Sequence, residues 1–213
     1  MVNAWRRTWT ERVSPEWTIR VGGGEDVGSH GENDARWAEA DDHTLVAACL
    51  ANHRGAFDVI VGRYRRQVYQ LCYRYIGNHE DASDLAQDAF IRAFKGLKGF
   101  KGQSTLSTWL YRIAVNVCLN RIALKTPKPE ALDPKEREDL RAERPDLALL
   151  REERAEAVRA AIRQLPRKQR ATLILRVYHE LPHEQIAGIL GSSVGAAKAN
   201  FFHALANLKK LLR

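Results

Sequence analysis

Residues 181–204 read LPHEQIAGILGSSVGAAKANFFHA, and this stretch decides the fold of the C-terminal part of the chain. A short amphipathic segment, His183 to Leu190, runs into Gly191-Ser192-Ser193, and a second amphipathic segment follows. Ala187 lies four residues before Gly191, so a small side chain lets two helices approach and the glycine permits a left-handed backbone in the turn. The pattern predicts a helix-turn-helix whose second helix lies on DNA, with a plain helical hairpin as the alternative.

The predicted second helix carries a single cation, Lys198, among its first ten residues. Its small side chains allow a close approach to a groove, Asn200 can pair with adenine, and His203 can reach a base or a phosphate. Most of the affinity for DNA comes from phosphate contacts, which cations outside this helix can supply. The candidate DNA contacts are Arg167, Lys168, Arg170, Arg176, Ser193, Gly195, Ala196, Lys198, Ala199, Asn200 and His203.

Helical periodicity begins at Asp42, and no later stretch alternates convincingly with period two, which predicts an all-α fold. Prolines and closely balanced charges mark residues 125–146 as a flexible charged linker. We therefore expect two small helical domains, at 42–124 and 147–213, with the helix-turn-helix in the second. Residues 1–41 hold four of the five tryptophans and the run GGGEDVGSHGEND, and we expect them to form a disordered N-terminal extension.

The net charge of +8 is concentrated in two blocks of the sequence. Residues 43–124 carry 11 Lys and Arg against 5 Asp and Glu, and residues 167–213 carry 8 against 2. Between them, residues 125–166 carry 10 of each sign. A positive net charge favours a polyanionic partner, and two separate basic blocks predict two contact surfaces for nucleic acid.

The cysteines and the hydropathy predict a cytoplasmic protein. Cys49, Cys72 and Cys118 are odd in number, lie within apolar helical patterns and form no CxxC motif, which predicts buried thiols in a reducing compartment. No apolar run approaches the ~20 residues that a membrane span needs. The N-terminus lacks the apolar core of a signal peptide. We therefore expect no direct insertion into a membrane.

The segment EDASDLAQDAFIRAF, residues 80–94, predicts a helix with an acidic face. The residues that share this face, at spacings of three and four, are Asp84, Gln87, Asp88 and Ile91. An acidic face with an apolar member suits a protein partner better than DNA, and a merely solvated face is the alternative. A metal site built from Asp84 and Asp88 with His79 and Glu80 would need a complementary ligand pair on another helix, which the sequence lacks. We expect no metal and no cofactor.

The segment GFKGQSTLSTWLYRIAVNVCLNR, residues 99–121, predicts a basic loop that leads into a helix. Unstacked bases bind to surfaces that offer planar groups for stacking, cations for phosphates and amides for base edges. The residues that offer these groups here are Phe100, Lys101, Trp109, Arg112, Asn116 and Asn120. Trp109 could equally belong to the core.

These motifs, in this order, resemble the extracytoplasmic-function (ECF) class of bacterial RNA polymerase sigma factors. The stretches that carry the resemblance are DLAQDAFIRAF, FKGQSTLSTWLYRIAVN and LPRKQRATLILRVYHELPHEQIAGILGSSVGAAK. The resemblance covers about residues 43–213 and implies that the first domain binds the polymerase clamp helices and opens the −10 promoter element. It implies that the second domain reads the −35 element and contacts the polymerase flap, and that an anti-sigma factor is a partner.

The resemblance also implies a role for each candidate surface. The face around Asp84 and Gln87 would bind core polymerase, the set around Trp109 and Arg112 would bind and melt the −10 element, and the helix-turn-helix set would read the −35 element. The sequence departs from the common family pattern at Pro182, at Ala196-Ala197, at Asn120, and at Asn200 and His203 where the family often has arginine. These departures leave the −35 sequence open.

Two other classes of function compete with this interpretation. A stand-alone helix-turn-helix regulator would need a dimerisation element, or an N-terminal ligand-binding or receiver domain. Residues 43–124 offer neither βα alternation nor an acidic receiver pocket. An enzyme would need a nucleophile with its base, a phosphate-binding loop or a metal motif, and the sequence offers none of these.

Overall fold

The computed structural model describes residues 37, 39–53, 55–124 and 145–212. Eight α-helices and no strand are found among these residues, which confirms the predicted all-α fold. The helices are α1 (Asp42–Leu50), α2 (Ala56–Ile76), α3 (His79–Gly96), α4 (Leu106–Leu124), α5 (Pro145–Gln164), α6 (Arg167–Tyr178), α7 (His183–Leu190) and α8 (Val194–Leu211). Residues 125–144 of the predicted 125–146 linker, and residues 1–36 and 38 of the predicted extension, lie outside the described residues. The helix α5 begins at Pro145, within the last two positions of the predicted linker.

Side-chain caps fix where three of the helices begin. Asp41, Asn78 and Thr105 each accept the backbone amide three residues further on, at 2.7, 3.0 and 3.2 Å. Each cap satisfies one of the amides that have no partner inside the first turn of a helix. Gly77 ends α2 with a φ of +81°, a conformation that glycine adopts without strain. These starts and stops depend on residues within three positions along the chain, so local chemistry fixes them.

The backbone forms two compact units, which divide between Gly62 and Arg63. In the first unit, α1 and the start of α2 bury apolar side chains, among them Leu45 and Ile60, which have no exposed surface. Trp37, which lies within the predicted extension, is also buried, and its ring lies 5.7 Å from the ring of His53. The predicted extension therefore contains at least one residue, Trp37, that is buried in the structure.

In the second unit, α3 packs on α4, and α6, α7 and α8 pack on one another. Phe90 of α3 and Val115 of α4 lie in the first of these cores, and an ion pair of 2.8 Å between Arg121 and Asp81 also joins the two helices. Ile174 and Ile186 lie in the second core. The predicted boundary between two helical domains falls inside this unit, because α4 and α7 are also in contact.

No helix among the described residues combines the length and the apolar character that crossing a membrane requires.

Candidate nucleic-acid interface

The predicted acidic face lies on the surface of α3. Asp84 and Gln87 are exposed, and Asp88 and Ile91 are half-buried beside them. The Arg92 Nε–H donates to the Asp88 carboxylate, at 3.0 and 3.1 Å from its two oxygens. This ion pair compensates part of the Asp88 charge within the helix. The structure thus brings the four predicted residues to one face, on which Asp84 presents an exposed carboxylate.

An aromatic pair lies where the loop after α3 meets α4. The rings of Phe100 and Trp109 have centroids 5.3 Å apart and planes inclined by 54°. Trp109 is half-buried, and its Cζ2 atom lies 3.8 Å from the place that a Cβ on Gly96 would take. One edge of the indole therefore packs on α3 while part of the ring stays accessible, which combines the two alternatives that the sequence left open.

The polar members of the same set follow along the loop and the helix. Lys101, Arg112, Asn116 and Asn120 are all exposed. Arg112 has an intramolecular partner, because its Nη2 donates to the Gly188 carbonyl of α7 at 2.7 Å.

The turn of the helix-turn-helix has the geometry that its sequence predicts. Gly191 has φ +58° and ψ +43°, the left-handed conformation that favours glycine. The amides of Gly191 and Ser192 both donate to the Ala187 carbonyl, which closes the end of α7. The Ser193 hydroxyl oxygen accepts the Ala196 amide at 3.1 Å and caps α8. Ser193 is therefore a positioning residue for the second helix, and its hydroxyl keeps its proton and one lone pair for DNA.

The first three turns of α8 have one packed side and one open side. Ala197 and Ala204 are buried against the other helices. The predicted contacts on the opposite side are Gly195, Ala196, Lys198, Ala199 and His203, which are exposed, and Asn200, which is half-buried. Small residues around a single lysine leave a surface that a duplex can approach closely.

Phe202 is a candidate DNA contact that sequence reasoning missed. Its side chain is 70% exposed, and its ring lies 5.9 Å from that of His203. Phe201 is half-buried, with its ring 5.7 Å from His183. The FF pair is not a signal by itself, because neighbours such as Ile174 and Leu175 are both buried in α6; only the packing shows that Phe202 faces outward. An exposed phenylalanine beside Lys198 is suited to contact the methyl group of a thymine.

The four cations before the helix-turn-helix differ in their surroundings. Arg167 and Lys168 are exposed, and the exposed Arg176 donates to the Leu181 carbonyl at 3.0 Å. Arg170 was predicted to contact DNA, but the structure gives its guanidinium other partners. It donates to the carbonyls of Ile162 and Tyr75, each at 3.1 Å, and burial lowers its pKa.

Arg170 is therefore a structural residue, and we withdraw it from the candidate DNA contacts. The sequence could not predict these two hydrogen bonds, because both acceptor carbonyls belong to other helices.

The three cysteines form no disulfide in the structure. Cys72 and Cys118 are fully buried, and a hydrogen bond to Cys72, together with burial, raises the pKa of Cys118. Cys49 was predicted to be buried but is only partly so; burial raises its pKa to about 11. The described residues contain no group of three or more His, Cys, Asp or Glu side chains that could hold a metal ion.

Comparison with known families matches both helical regions. The profile of Sigma-70 region 2 matches residues 60–126, and that of Sigma-70 region 4 matches residues 155–208. The first match contains the acidic face of α3 and the aromatic pair, and the second contains the helix-turn-helix.

Curated relatives extend this match over most of the chain. RNA polymerase sigma-H factor of Pseudomonas aeruginosa is 33% identical over 82% of this chain and 95% of its own length. ECF RNA polymerase sigma factor SigW of Bacillus subtilis is 35% identical over 74% of this chain and 89% of its own length. The chain belongs to the ECF RNA polymerase sigma factors. It is thus a subunit that directs promoter-specific initiation by core RNA polymerase, in a family that is not enzymatic, rather than a stand-alone regulator.

A solved structure supports the same fold for this sigma factor. The co-crystal structure of the sigma factor RpoE with the anti-sigma factor NepR from Bartonella quintana matches with a TM-score of 0.56 and 22% identity. The match covers 73% of this chain and 96% of the matched chain.

Proposed function

We propose that this sigma factor divides its work among three surfaces: a polymerase-binding face on α3, a −10 surface on α4 and its preceding loop, and a −35 surface on α8. The observation that carries the proposal is that the three surfaces differ in charge and in the kinds of side chain that they expose. The first surface is acidic, the second combines aromatic rings with cations and amides, and the third is small and nearly uncharged around Lys198.

The α3 face is suited to protein rather than to DNA. The exposed Asp84 carboxylate would be repelled by phosphates, and Gln87 and Ile91 add a polar and an apolar contact on the same side. Such a face fits a basic protein surface, and we assign it to the clamp helices of core polymerase.

The α4 surface is suited to single-stranded DNA. Phe100 and the accessible part of Trp109 can stack on unpaired bases. Lys101 and Arg112 can neutralise phosphates, and Asn116 presents an amide to base edges. These contacts favour the melted strand over the duplex, because only unstacked bases offer their faces to aromatic side chains.

The α8 surface is suited to a duplex major groove. Gly195, Ala196 and Ala199 allow the helix to approach, Lys198 and Asn200 offer donors, and Phe202 and His203 extend the contact along the helix. Arg167 and Lys168 are exposed and available for phosphates. With so few cations this module binds weakly alone, and tethering both modules to polymerase supplies the missing affinity.

Two further partners belong to the proposal. The sigma factor RpoE of Bartonella quintana crystallised in complex with the anti-sigma factor NepR, and we propose that an anti-sigma factor likewise holds this chain inactive. We also propose that the domain containing α8 contacts the polymerase flap. Since core polymerase acts in the cytoplasm, we place this protein there.

The test is transcription with purified core polymerase and a promoter library. We expect the chain to co-migrate with core polymerase and to yield run-off transcripts whose templates share two conserved elements. Asp84→Ala with Gln87→Ala should weaken the complex by about tenfold. This is the effect expected when two interface contacts, each contributing about 0.5–1 kcal/mol, are lost. Glu153→Ala with Gln164→Ala removes the same chemical groups from exposed positions of α5 and serves as the control. An unchanged complex for the first variant would place the polymerase interface elsewhere.

A further inference from the structure

A pocket lined by three arginines lies between the C-terminal end of α2 and α5. Arg74 comes from α2, and Arg159 and Arg163 come from α5, one turn apart. The pocket has an open space of about 250 Å³, and none of its lining residues is acidic. The other lining residues are Tyr73, Gly77 and Ile162. The three side chains stay positively charged, because a guanidinium does not lose its proton in a protein.

One carboxylate compensates part of this charge. The Glu156 carboxylate accepts from the Arg159 Nε–H at 2.7 Å and from the Arg163 Nη2 at 2.9 Å. The Glu156 side chain is 53% exposed, whereas the side chains of Arg159 and Arg163 are 21% and 18% exposed. Water therefore screens the carboxylate more than it screens the two guanidiniums, and one negative charge faces two positive charges.

The end of α2 holds Arg163 in place. Gly77 follows this helix with a φ of +81°, and a Cβ on Gly77 would lie 2.8 Å from the Arg163 Nη1 and 3.2 Å from its Cδ. A glycine at this position leaves room for the arginine to lie across the helix end. The C-terminal end of a helix carries about half a negative charge, which favours a cation there. Together with Glu156, this partial charge leaves about 1.5 of the three positive charges without compensation.

Arg74 lies over a neutral ring. Its guanidinium is 4.1 Å from the centroid of the Tyr178 ring, a favourable contact that leaves the positive charge in place. The charges of this cluster act on neighbouring groups. Burial, and then the charge of Arg74, lower the pKa of His179 to about 4. Burial lowers the pKa of Arg170, and the charge of Arg163 lowers it further. Both shifts indicate a positive potential around the pocket, which favours an anion.

The chemistry of the three arginines fits a phosphate group. The planar fork of a guanidinium donates paired hydrogen bonds to two oxygens of a phosphate. A terminal phosphate carries about 1.5 to 2 negative charges near pH 7, which matches the uncompensated charge of the pocket. A carboxylate, or a phosphodiester in a nucleic-acid backbone, carries only one charge. The match of charge therefore favours a terminal phosphate over an acidic side chain or a DNA strand.

We propose that Arg74, Arg159 and Arg163 form a binding site for a small anion that carries a terminal phosphate group. Free pyrophosphate and the polyphosphate of a nucleotide share this chemistry. Glu156 binds two of the three guanidiniums and competes with the anion for their donors. No residue assigned to the polymerase-binding, −10 or −35 surface lines the pocket, so the inference does not depend on the proposed function.

Calorimetric titration of the full-length chain with pyrophosphate tests the site. The ionic strength is held constant, so that non-specific attraction to a basic protein is screened equally throughout. We expect saturable binding, and Arg159→Gln should weaken it by about tenfold through the loss of charged hydrogen bonds. Arg66→Gln removes an equal charge from an exposed position of α2 and should leave the affinity nearly unchanged. No binding to the native chain, or an equal loss in both variants, would overturn the site.

Removal of the competing carboxylate gives a second test, in which binding increases. Glu156→Gln should bind pyrophosphate several-fold more tightly, because Arg159 and Arg163 are then released from their ion pairs. Glu153→Gln makes the same change in net charge at an exposed position one turn earlier in α5 and serves as the control. Arginines with a purely structural role would lose stability in the first variant without any gain in affinity. Equal affinities in the two variants would contradict the site.

A comparison of ligands identifies the source of the phosphate. Adenosine triphosphate carries a terminal phosphate, whereas a single-stranded oligothymidylate with hydroxyl ends carries only diesters. We expect Arg159→Gln to weaken the binding of adenosine triphosphate and of pyrophosphate, and to leave the binding of the oligonucleotide unchanged. If only the oligonucleotide lost affinity, the pocket would belong to a nucleic-acid surface and the proposed site would be wrong.

Discussion

Protonation of one buried histidine, His179, should contribute to the destabilisation of this protein by acid. Its ring lies 4.8 Å from the Tyr111 ring, the Arg74 charge acts on it, and its Nε2 has no hydrogen-bond partner among the described residues. Burial, and to a smaller degree the positive charge of Arg74, lower the pKa of His179 from 6.5 to about 4. The folded chain therefore keeps this ring neutral at pH values where the unfolded chain protonates it.

The size of the effect follows from the two pKa values. The contribution of the neutral ring is complete above pH 6.5 and is lost as the pH falls from 6.5 towards 4, because the unfolded chain then binds a proton that the folded chain excludes. Between pH 7 and pH 5 the free energy of unfolding should fall by about 2 kcal/mol, since one pKa unit corresponds to about 1.4 kcal/mol. Below pH 4 the loss levels off.

Urea unfolding at pH 7 and pH 5 measures this loss, with His179→Phe as the reference. Phenylalanine keeps a ring against Tyr111 but cannot bind a proton. Titrating groups elsewhere contribute equally to both chains, so the difference between their losses isolates His179. We expect the native chain to lose about 2 kcal/mol more than the variant. Equal losses in the two chains would refute the argument, since they would show that the ring is solvated or protonated in the folded state.

Three further substitutions test the assignments one residue at a time. Arg170→Ala should lower the free energy of unfolding by about 3 kcal/mol, because the carbonyls of Ile162 and Tyr75 lose a charged donor. A loss below about 0.5 kcal/mol, which is usual at surface sites, would contradict this assignment, because it would mean that water replaces the guanidinium as the donor. Ser193→Ala should cost about 1 kcal/mol through the lost cap of α8, with Ser193→Asp retaining it. Phe202→Ala should weaken binding to a selected −35 duplex by about tenfold with stability unchanged, and equal affinity would remove Phe202 from the DNA surface.

Much of the architecture could be predicted because it depends on neighbours in sequence. The caps at Asn78, Thr105 and Ser193 bond to amides three residues away, and Gly191 needs only its own left-handed backbone. The acidic face of α3 follows from helical spacing alone. For the same reason the three motifs, read in order, were enough to predict the family.

Only the tertiary structure decided which groups the long side chains bind. The sequence predicts that Arg170 and Arg112 contact DNA, but it cannot show that one donates to the Tyr75 carbonyl and the other to the Gly188 carbonyl, 95 and 76 residues away. It also could not decide which ring of the Phe201-Phe202 pair faces outward. An arginine carries the same charge wherever it stands, and its role depends on which carbonyl or phosphate the folded chain brings within reach, so packing between distant helices decides it.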